Sequence, residues 1–127
     1  MNPFKTDAQA KEEVLFKAKC PALGLNVILF RQAWEQHILP SHPQLGGKEE
    51  VVKQVIQSCH LLDDIFQKVD RPKRLAIQKR CSDFEPINSY LRVAIEIKKK
   101  GNWAIVTSAY PVNSFPKKGV KKYEPGK

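Results

Sequence analysis

A chain of 127 residues with 42% hydrophobic and 28% charged residues is long and apolar enough for one globular domain, which excludes disorder as its general state. Lys and Arg number 22 against 13 Asp and Glu, so the formal net charge is +9. This excess favours a polyanionic partner such as nucleic acid, an anionic membrane surface or an acidic protein, and it does not choose among them.

The cysteines and the apolar runs exclude several kinds of site. Cys20, Cys59 and Cys81 are an odd number at wide spacings, without a Cys-x-x-Cys pair, so neither a disulfide framework nor a zinc site is expected. No apolar run approaches the ~20 residues that span a bilayer, and no apolar targeting segment follows Met1. We therefore expect a cytoplasmic protein with no membrane segment, no metal and no other cofactor.

The N-terminal region has two interpretations. Thr6 or Asp7 could cap a short helix over residues 8–19. Leu15 and Phe16 could equally open a first strand. Both alternatives stay open.

The middle of the chain predicts a strand and then a helix. Val, Ile and Phe in residues 25–30 favour a strand. In residues 48–59, apolar side chains recur at i, i+1, i+4 and i+5, which predicts an amphipathic helix. Residues 61–66 fit either a turn or a short connecting strand.

From residue 71 onward the apolar period changes to two, which is typical of strands. Leu75 and Ile77 alternate with polar residues in the segment 74–80, and the segment 90–98 alternates without error. A polar connection at 99–102 predicts that residues 103–109 form an antiparallel partner.

These elements predict an α+β fold, with N-terminal helices packed on one face of an antiparallel sheet of about four strands. We expect one domain over residues 1–116, with a core at about 25–111, and a basic, flexible tail at 117–127 that is rich in Lys, Pro and Gly.

Residues 34–43 hold two of the three histidines, beside a tryptophan and between two prolines. If a helical turn covers Trp34 to Ile38, the tryptophan lies in the core and His37 at its edge. Pro43 biases His42 toward an extended or turn conformation, and Pro40 does the same to Leu39. Two groups that exchange protons near neutral pH could then point to one place.

Cleavage of RNA through its own 2′-hydroxyl needs a base, an acid and groups that hold the charge developing on phosphorus. His37 and His42 can serve as the proton-transfer pair. Arg74, Arg80 or Arg92 can grip the phosphate in bidentate fashion, and Thr107 or Tyr110 can donate a hydrogen bond to a phosphoryl oxygen.

The order of these motifs resembles a known superfamily. Trp34, His37-Ile38 and His42-Pro43 precede a helix, a basic strand, an alternating strand and a final strand that ends in Val106-Thr107-Ser108-Ala109-Tyr110. This order resembles the phage-associated branch of the barnase, EndoU, colicin tRNase and RelE-like (BECR) nucleases, over about residues 25–111.

The resemblance implies a metal-independent endoribonuclease that leaves a 2′,3′-cyclic phosphate, as a toxin of a toxin–antitoxin or prophage system. It implies RNA as substrate and an acidic antitoxin or immunity protein as partner. The expected catalytic residues are His37, His42, Arg80, Thr107 and Tyr110, and the expected substrate-binding residues are Arg74, Lys79, Arg92 and Trp103. The alternative is a basic nucleic-acid-binding module without catalysis, in which edge aromatics hold a single strand.

Overall fold

The computed structural model describes residues 13–98, 102–116 and 119–123. Within these ranges the strands are β1 (Val14–Cys20), β2 (Leu25–Phe30), β3 (Ile65–Lys68), β4 (Arg71–Arg80), β5 (Tyr90–Ile97), β6 (Trp103–Val112) and β7 (Val120–Lys122). Helix α1 covers residues 31–41 in three parts, α-helical Arg31–Ala33, π-helical Trp34–Ile38 and α-helical Leu39–Ser41, and helix α2 is Glu49–Gln57. Short 3-10 turns lie at Pro43–Leu45, Leu62–Asp64 and Ser82–Phe84.

The strands of the described residues form one mixed sheet in the order β1-β2-β6-β5-β4-β3-β7. Only the β2 and β6 pair is parallel among the pairs in these ranges. Both helices lie in the connection between β2 and β3, so the chain leaves the sheet after β2 and later places β6 beside it.

The predicted fold class was wrong. The described chain opens with the β1–β2 hairpin rather than with helices, and the sheet in these ranges has seven strands, not about four. In β1 the buried residues Phe16, Ala18 and Cys20 alternate with the exposed Lys17 and Lys19. This period of two favours a strand over a helix, so the second interpretation of Leu15 and Phe16 is confirmed. Residues 8–12 of the predicted helix lie outside the described ranges.

Predictions from strong local patterns were confirmed elsewhere. Helix α2 buries Val52, Val55 and Ile56, the stripe expected from their spacing. The β5–β6 pair is antiparallel as predicted, although residues 99–101 of its connection lie outside the described ranges. The undecided segment 61–66 contains a 3-10 turn and then the first two residues of β3.

Alternation gives the sheet two different faces. One face packs against α2 and carries the buried residues of the central strands, among them Leu75, Ile77, Val93 and Ile95. We call the other side the open face. Cross-strand pairing arranges the open face in rows, because partners in register point to the same side of a sheet.

Part of the predicted tail belongs to the sheet. Strand β7 pairs antiparallel with β3, and the Tyr123 amide donates to the Ile65 carbonyl at 3.0 Å. Residues 117, 118 and 124–127 lie outside the described ranges, so the expected flexibility of the tail stays a prediction for them. None of the helices in the described ranges is long and apolar enough to cross a membrane.

Candidate functional site

A cavity of about 330 Å³ lies on the open face over β4, β5 and β6. Its floor is the row Ala76, Ala94 and Ser108, which are partners across the three strands. Small side chains in one row leave a depression between the larger rows on either side. The cavity therefore follows directly from the register of the sheet.

The walls of the cavity are basic and aromatic. Lys68, Arg74 and Arg92 line it, together with Phe66 and Tyr110. The remaining lining side chains include Thr107, Pro116 and Val120. The Arg74 Nε also donates to Glu96 Oε1 at 3.2 Å, so one carboxylate offsets part of the positive charge. Three cations against one nearby anion make the cavity attractive to phosphate.

Arg92 is held by three donated hydrogen bonds. Its Nε donates to Gln78 Oε1 at 2.9 Å, its Nη2 to the Ser114 carbonyl at 2.7 Å, and its Nη1 to the Tyr110 hydroxyl at 3.5 Å. Gln78 is 2% exposed and donates its own amide to the Ser114 carbonyl at 3.2 Å. A guanidinium has five N–H donors, so two have no partner among the described residues and could bind an anion.

The half-buried His42 reaches the same group of residues through Tyr110. The two rings are stacked, with centroids 5.2 Å apart and planes at 27°. The Arg92 guanidinium carbon lies 5.5 Å from the Tyr110 ring centroid. We call His42, Tyr110 and Arg92 the contact chain. The contact chain links the His42 imidazole, a group that can exchange a proton, with the Arg92 guanidinium, which is held in place at the cavity.

Helix α1 positions His42 by an unusual turn around Pro40. Leu39 stays helical although a proline follows it, with φ −62° and ψ −42°, contrary to the expectation from Pro40. Its amide donates to the Trp34 carbonyl, a π-helical bond one residue longer than an α-helical bond. The wider turn relieves the clash between the proline ring and the carbonyl four residues earlier. His42 itself leaves the helix, as Pro43 predicted, with φ −138° and ψ 70°.

His37 lies elsewhere on the same helix. It is exposed in the π-helical segment, where Trp34 is buried as predicted and Ile38 is buried as well. Among the described residues, His37 makes no hydrogen bond or ring contact with the contact chain. Of the two predicted histidines, His42 alone touches Tyr110.

A β-bulge at Thr107 decides which way Tyr110 points. The register runs from Val106 opposite Ile95 to Ser108 opposite Ala94, so Thr107 is the extra residue. Strict alternation would place Tyr110 on the same face as the buried Val106. The bulge moves it to the open face, and the Thr107 hydroxyl donates to the Ala94 carbonyl at 3.3 Å. Bulges recur beside active sites for this reason.

Residues 113–116, here called the cover segment, cross the open face after β6. Asn113 fixes its start, accepting from the Ser89 amide at 2.9 Å and donating to the Ile87 carbonyl at 2.8 Å. Phe115 packs between Tyr90 and Phe66, with centroid separations of 5.2 and 5.9 Å. The segment thereby closes one side of the cavity and buries Gln78.

The other predicted site residues lie apart from the contact chain. The Arg80 guanidinium is 5.6 Å from the Tyr90 ring centroid and does not line the cavity. Lys79 points to the face covered by α2 and pairs with Asp64 at 3.3 Å. Trp103 is half-buried at the other end of β6, opposite Asn26. The cavity thus brings together Arg74, Arg92, Thr107 and Tyr110.

Sequence reasoning did not single out Gln78 and Ser114, which hold Arg92, or the lining residues Phe66 and Lys68. Gln78 carried a signal, since it lies in the alternating segment of β4 on the same face as Arg74. Phe66 lies in a stretch whose structure was undecided. The Ser114 contribution is a backbone carbonyl, which no side-chain pattern indicates.

The three cysteines are free and buried. The pKa of the Cys59 thiol is raised mainly by its hydrogen bond with the Cys20 thiol, and burial raises it further. Burial likewise raises the pKa of Cys81. In the described part of the chain, no group of three His, Cys, Asp or Glu side chains could hold a metal ion.

Comparison with known proteins does not identify a family for this chain. No family model, curated protein or solved structure matches the chain. The resemblance to the BECR nucleases stays a prediction.

Proposed function

We propose that this protein is a metal-independent endoribonuclease whose site is the contact chain and the adjoining cavity. The observation that carries the proposal is the stacking of His42 on Tyr110, which in turn contacts Arg92. His42 can serve as the base, and Tyr110 and Arg92 can hold the charge that develops on phosphorus, so the contact chain supplies two of the three parts that cleavage through a 2′-hydroxyl needs.

The proposed reaction uses each group once. The His42 imidazole takes the proton of the 2′-hydroxyl while the 2′-oxygen forms a bond to phosphorus. The bond from phosphorus to the 5′-oxygen breaks, and the leaving oxygen takes a proton from solvent at the exposed rim. The products are a 2′,3′-cyclic phosphate and a 5′-hydroxyl end. Arg92 and Tyr110 hold the phosphoryl oxygens as negative charge develops on them.

The test is RNA cleavage in EDTA by the parent protein and by single-histidine variants. His42→Ala should lower the cleavage rate by about 10²-fold or more, the usual contribution of a proton-transfer group. His60→Ala is the matched control, since His60 is exposed on a different part of the surface. Product ends identify the chemistry, and the proposal predicts cyclic phosphate from the parent protein. Equal cleavage by the parent and His42→Ala would contradict it.

His37→Ala decides whether the predicted histidine pair exists. A loss as large as that of His42→Ala would restore His37 as the second proton carrier, brought to the substrate in the complex. Unchanged cleavage would leave His42 as the single imidazole of the site.

A binding module without catalysis is the second candidate. The open face carries the aromatic side chains of Phe66, Tyr90, Tyr110 and Phe115 among its basic residues, an arrangement that can stack on single-stranded bases. This candidate predicts that RNA stays intact and that His42→Ala binds it as tightly as the parent protein does.

The proposal includes a compartment and a partner. Three free thiols fit a reducing cytoplasm. The basic open face fits an acidic antitoxin or immunity protein, which would cover the cavity and prevent cleavage.

A further inference from the structure

We propose that the cavity is a slot for one unpaired nucleobase, so that its substrate is single-stranded or locally unpaired nucleic acid. This inference rests on the proposed function only in taking nucleic acid as the ligand. It names which part of that ligand enters the cavity.

The floor of the cavity is long and narrow, as a site for a planar nucleobase requires. Ala76, Ala94 and Ser108 occupy adjacent strands, and two strand spacings amount to ~10 Å. On each side, the next row on the same face lies ~7 Å away along the strands. Those rows carry larger side chains, Gln78 and Arg92 on one side and Arg74 and Glu96 on the other. The result is a narrow trough that runs across the strands.

The surfaces of the trough suit a base. Phe66, the partner of Ala76, closes one end of the row. Pro116 of the cover segment adds a further apolar wall to the lining. Ser108 supplies a hydroxyl in the floor, which can donate to or accept from the edge of a base. Apolar faces with a small number of polar groups are the usual composition of a site for a planar ligand.

The rim supplies charge for the phosphates attached to such a base. Arg92 lies beside the floor with two donors that have no partner among the described residues, and Lys68 and Arg74 line the same cavity. Their long side chains surround the floor rather than fill it. A nucleotide could therefore insert its base between phosphate contacts on either side.

A base within a duplex cannot enter this trough. Each duplex base is stacked on both faces and paired at its edge, so insertion requires that the base be unpaired or turned out of the helix. The cover segment also prevents a duplex from lying flat on the open face, since Phe115 and Ser114 cross it. Single strands meet neither obstacle.

The experiment measures binding of short 2′-O-methyl oligonucleotides by fluorescence anisotropy. These strands have no free 2′-hydroxyl and cannot be cleaved by the proposed reaction. The probes are a five-residue single strand, the same strand annealed to its complement, and an abasic strand of equal length and phosphate number. We expect the single strand to bind at least about tenfold more tightly than the abasic strand, because base contacts of this kind are of that size.

Two variants test whether the preference for the base-containing strand arises in the cavity. Ala94→Leu fills the floor and should lower the affinity for the single strand to that for the abasic strand. Asn26→Leu makes a similar change at an exposed position of β2 outside the cavity and should change nothing. Circular dichroism verifies that both are folded. Should Ala94→Leu not fold, the comparison of base-containing and abasic strands in the parent protein still decides the question.

Equal affinity for the base-containing and abasic strands would overturn the slot, as would tighter binding of the duplex than of the single strand. Neither result depends on cleavage. If RNA is cleaved but the two strands bind equally, the nuclease stands and the slot fails. If the base-containing strand is preferred but no RNA is cleaved, the slot stands and the nuclease fails.

Discussion

Gln78 is a buried amide that joins a cation to a backbone turn. Its oxygen accepts from the Arg92 Nε and its nitrogen donates to the Ser114 carbonyl, so both ends of one side chain are used. A guanidinium bound on this side presents its remaining donors in one direction, and less freedom is lost when an anion binds. Gln78 is therefore a positioning residue for Arg92.

Gln78→Met keeps the length of the side chain and removes both hydrogen bonds. The free energy of unfolding should fall by about 1–3 kcal/mol, because a carbonyl and a guanidinium N–H lose a partner. Affinity for the uncleavable single strand should fall about tenfold. Urea unfolding and anisotropy measure the two effects, with Gln57→Met on the exposed side of α2 as control. Lower stability with unchanged affinity would show that Gln78 supports the fold alone.

Cys81 provides a residue-scale test of burial. Burial raises the pKa of its thiol in the folded state, whereas an unfolded thiol ionises near pH 8.5. Above that pH the folded protein binds more protons than the unfolded chain, so the free energy of unfolding should fall as pH rises. One such thiol contributes a slope of up to about 1.4 kcal/mol per pH unit.

Urea unfolding between pH 8 and pH 10 measures this slope for the parent protein and for Cys81→Ser. The serine variant does not titrate in this range, so its stability should fall less steeply. Parallel curves would mean that the Cys81 thiol ionises equally in both states. The comparison removes the contribution of the other titrating groups, which the two proteins share.

At the scale of elements, β7 has a structural role that composition concealed. Its residues were predicted as part of a flexible basic tail, but they extend the sheet beyond β3. The Lys122 ammonium lies 4.8 Å from the Phe66 ring centroid and donates to the Asp63 carbonyl. Phe66, which is 8% exposed, lies in the cavity wall with the Lys122 side chain over its ring.

Truncation after residue 116 should therefore destabilise the protein. Exposure of Phe66 and loss of the β3 pairing should lower the free energy of unfolding by about 2 kcal/mol or more. A truncated protein as stable as the parent would show that β7 is dispensable.

Lys122→Gln keeps the strand and removes one charge. It should reduce the slope of log affinity for single-stranded RNA against log salt concentration by about 0.7, with little change in thermal stability. Lys53→Gln on α2, across the sheet, is the control and should leave the slope unchanged.

At the scale of the whole molecule, one face of the sheet forms the core and the other carries the candidate site. The face under α2 supplies the core, in which Val27, Leu29, Ile77 and Val93 are fully buried. The open face carries cations and aromatics that the strands beneath them hold in place. Lys17 and Lys19 are exposed on edge strand β1, a common protection against pairing with other chains. The net charge of +9 is consistent with a polyanionic ligand.

The sequence by itself determined the local elements and the basic character of the protein. A period of two in residues 90–98 and a helical stripe in α2 arise within a few consecutive residues, so local pattern was sufficient for both. The alternation of β1 is also local, but the possible caps Thr6 and Asp7 made a helix an equal alternative.

Only the tertiary structure decided the sheet order, the face of Tyr110 and which of the two histidines lies against Tyr110. These depend on pairings between segments distant in the chain: β6 lies beside β2, and one extra residue at Thr107 reverses the alternation that follows it. Local periodicity carries no information on register, since a slip of one residue exchanges the two faces of a strand. The contact chain therefore exists only once helix α1, β5 and β6 have been brought together.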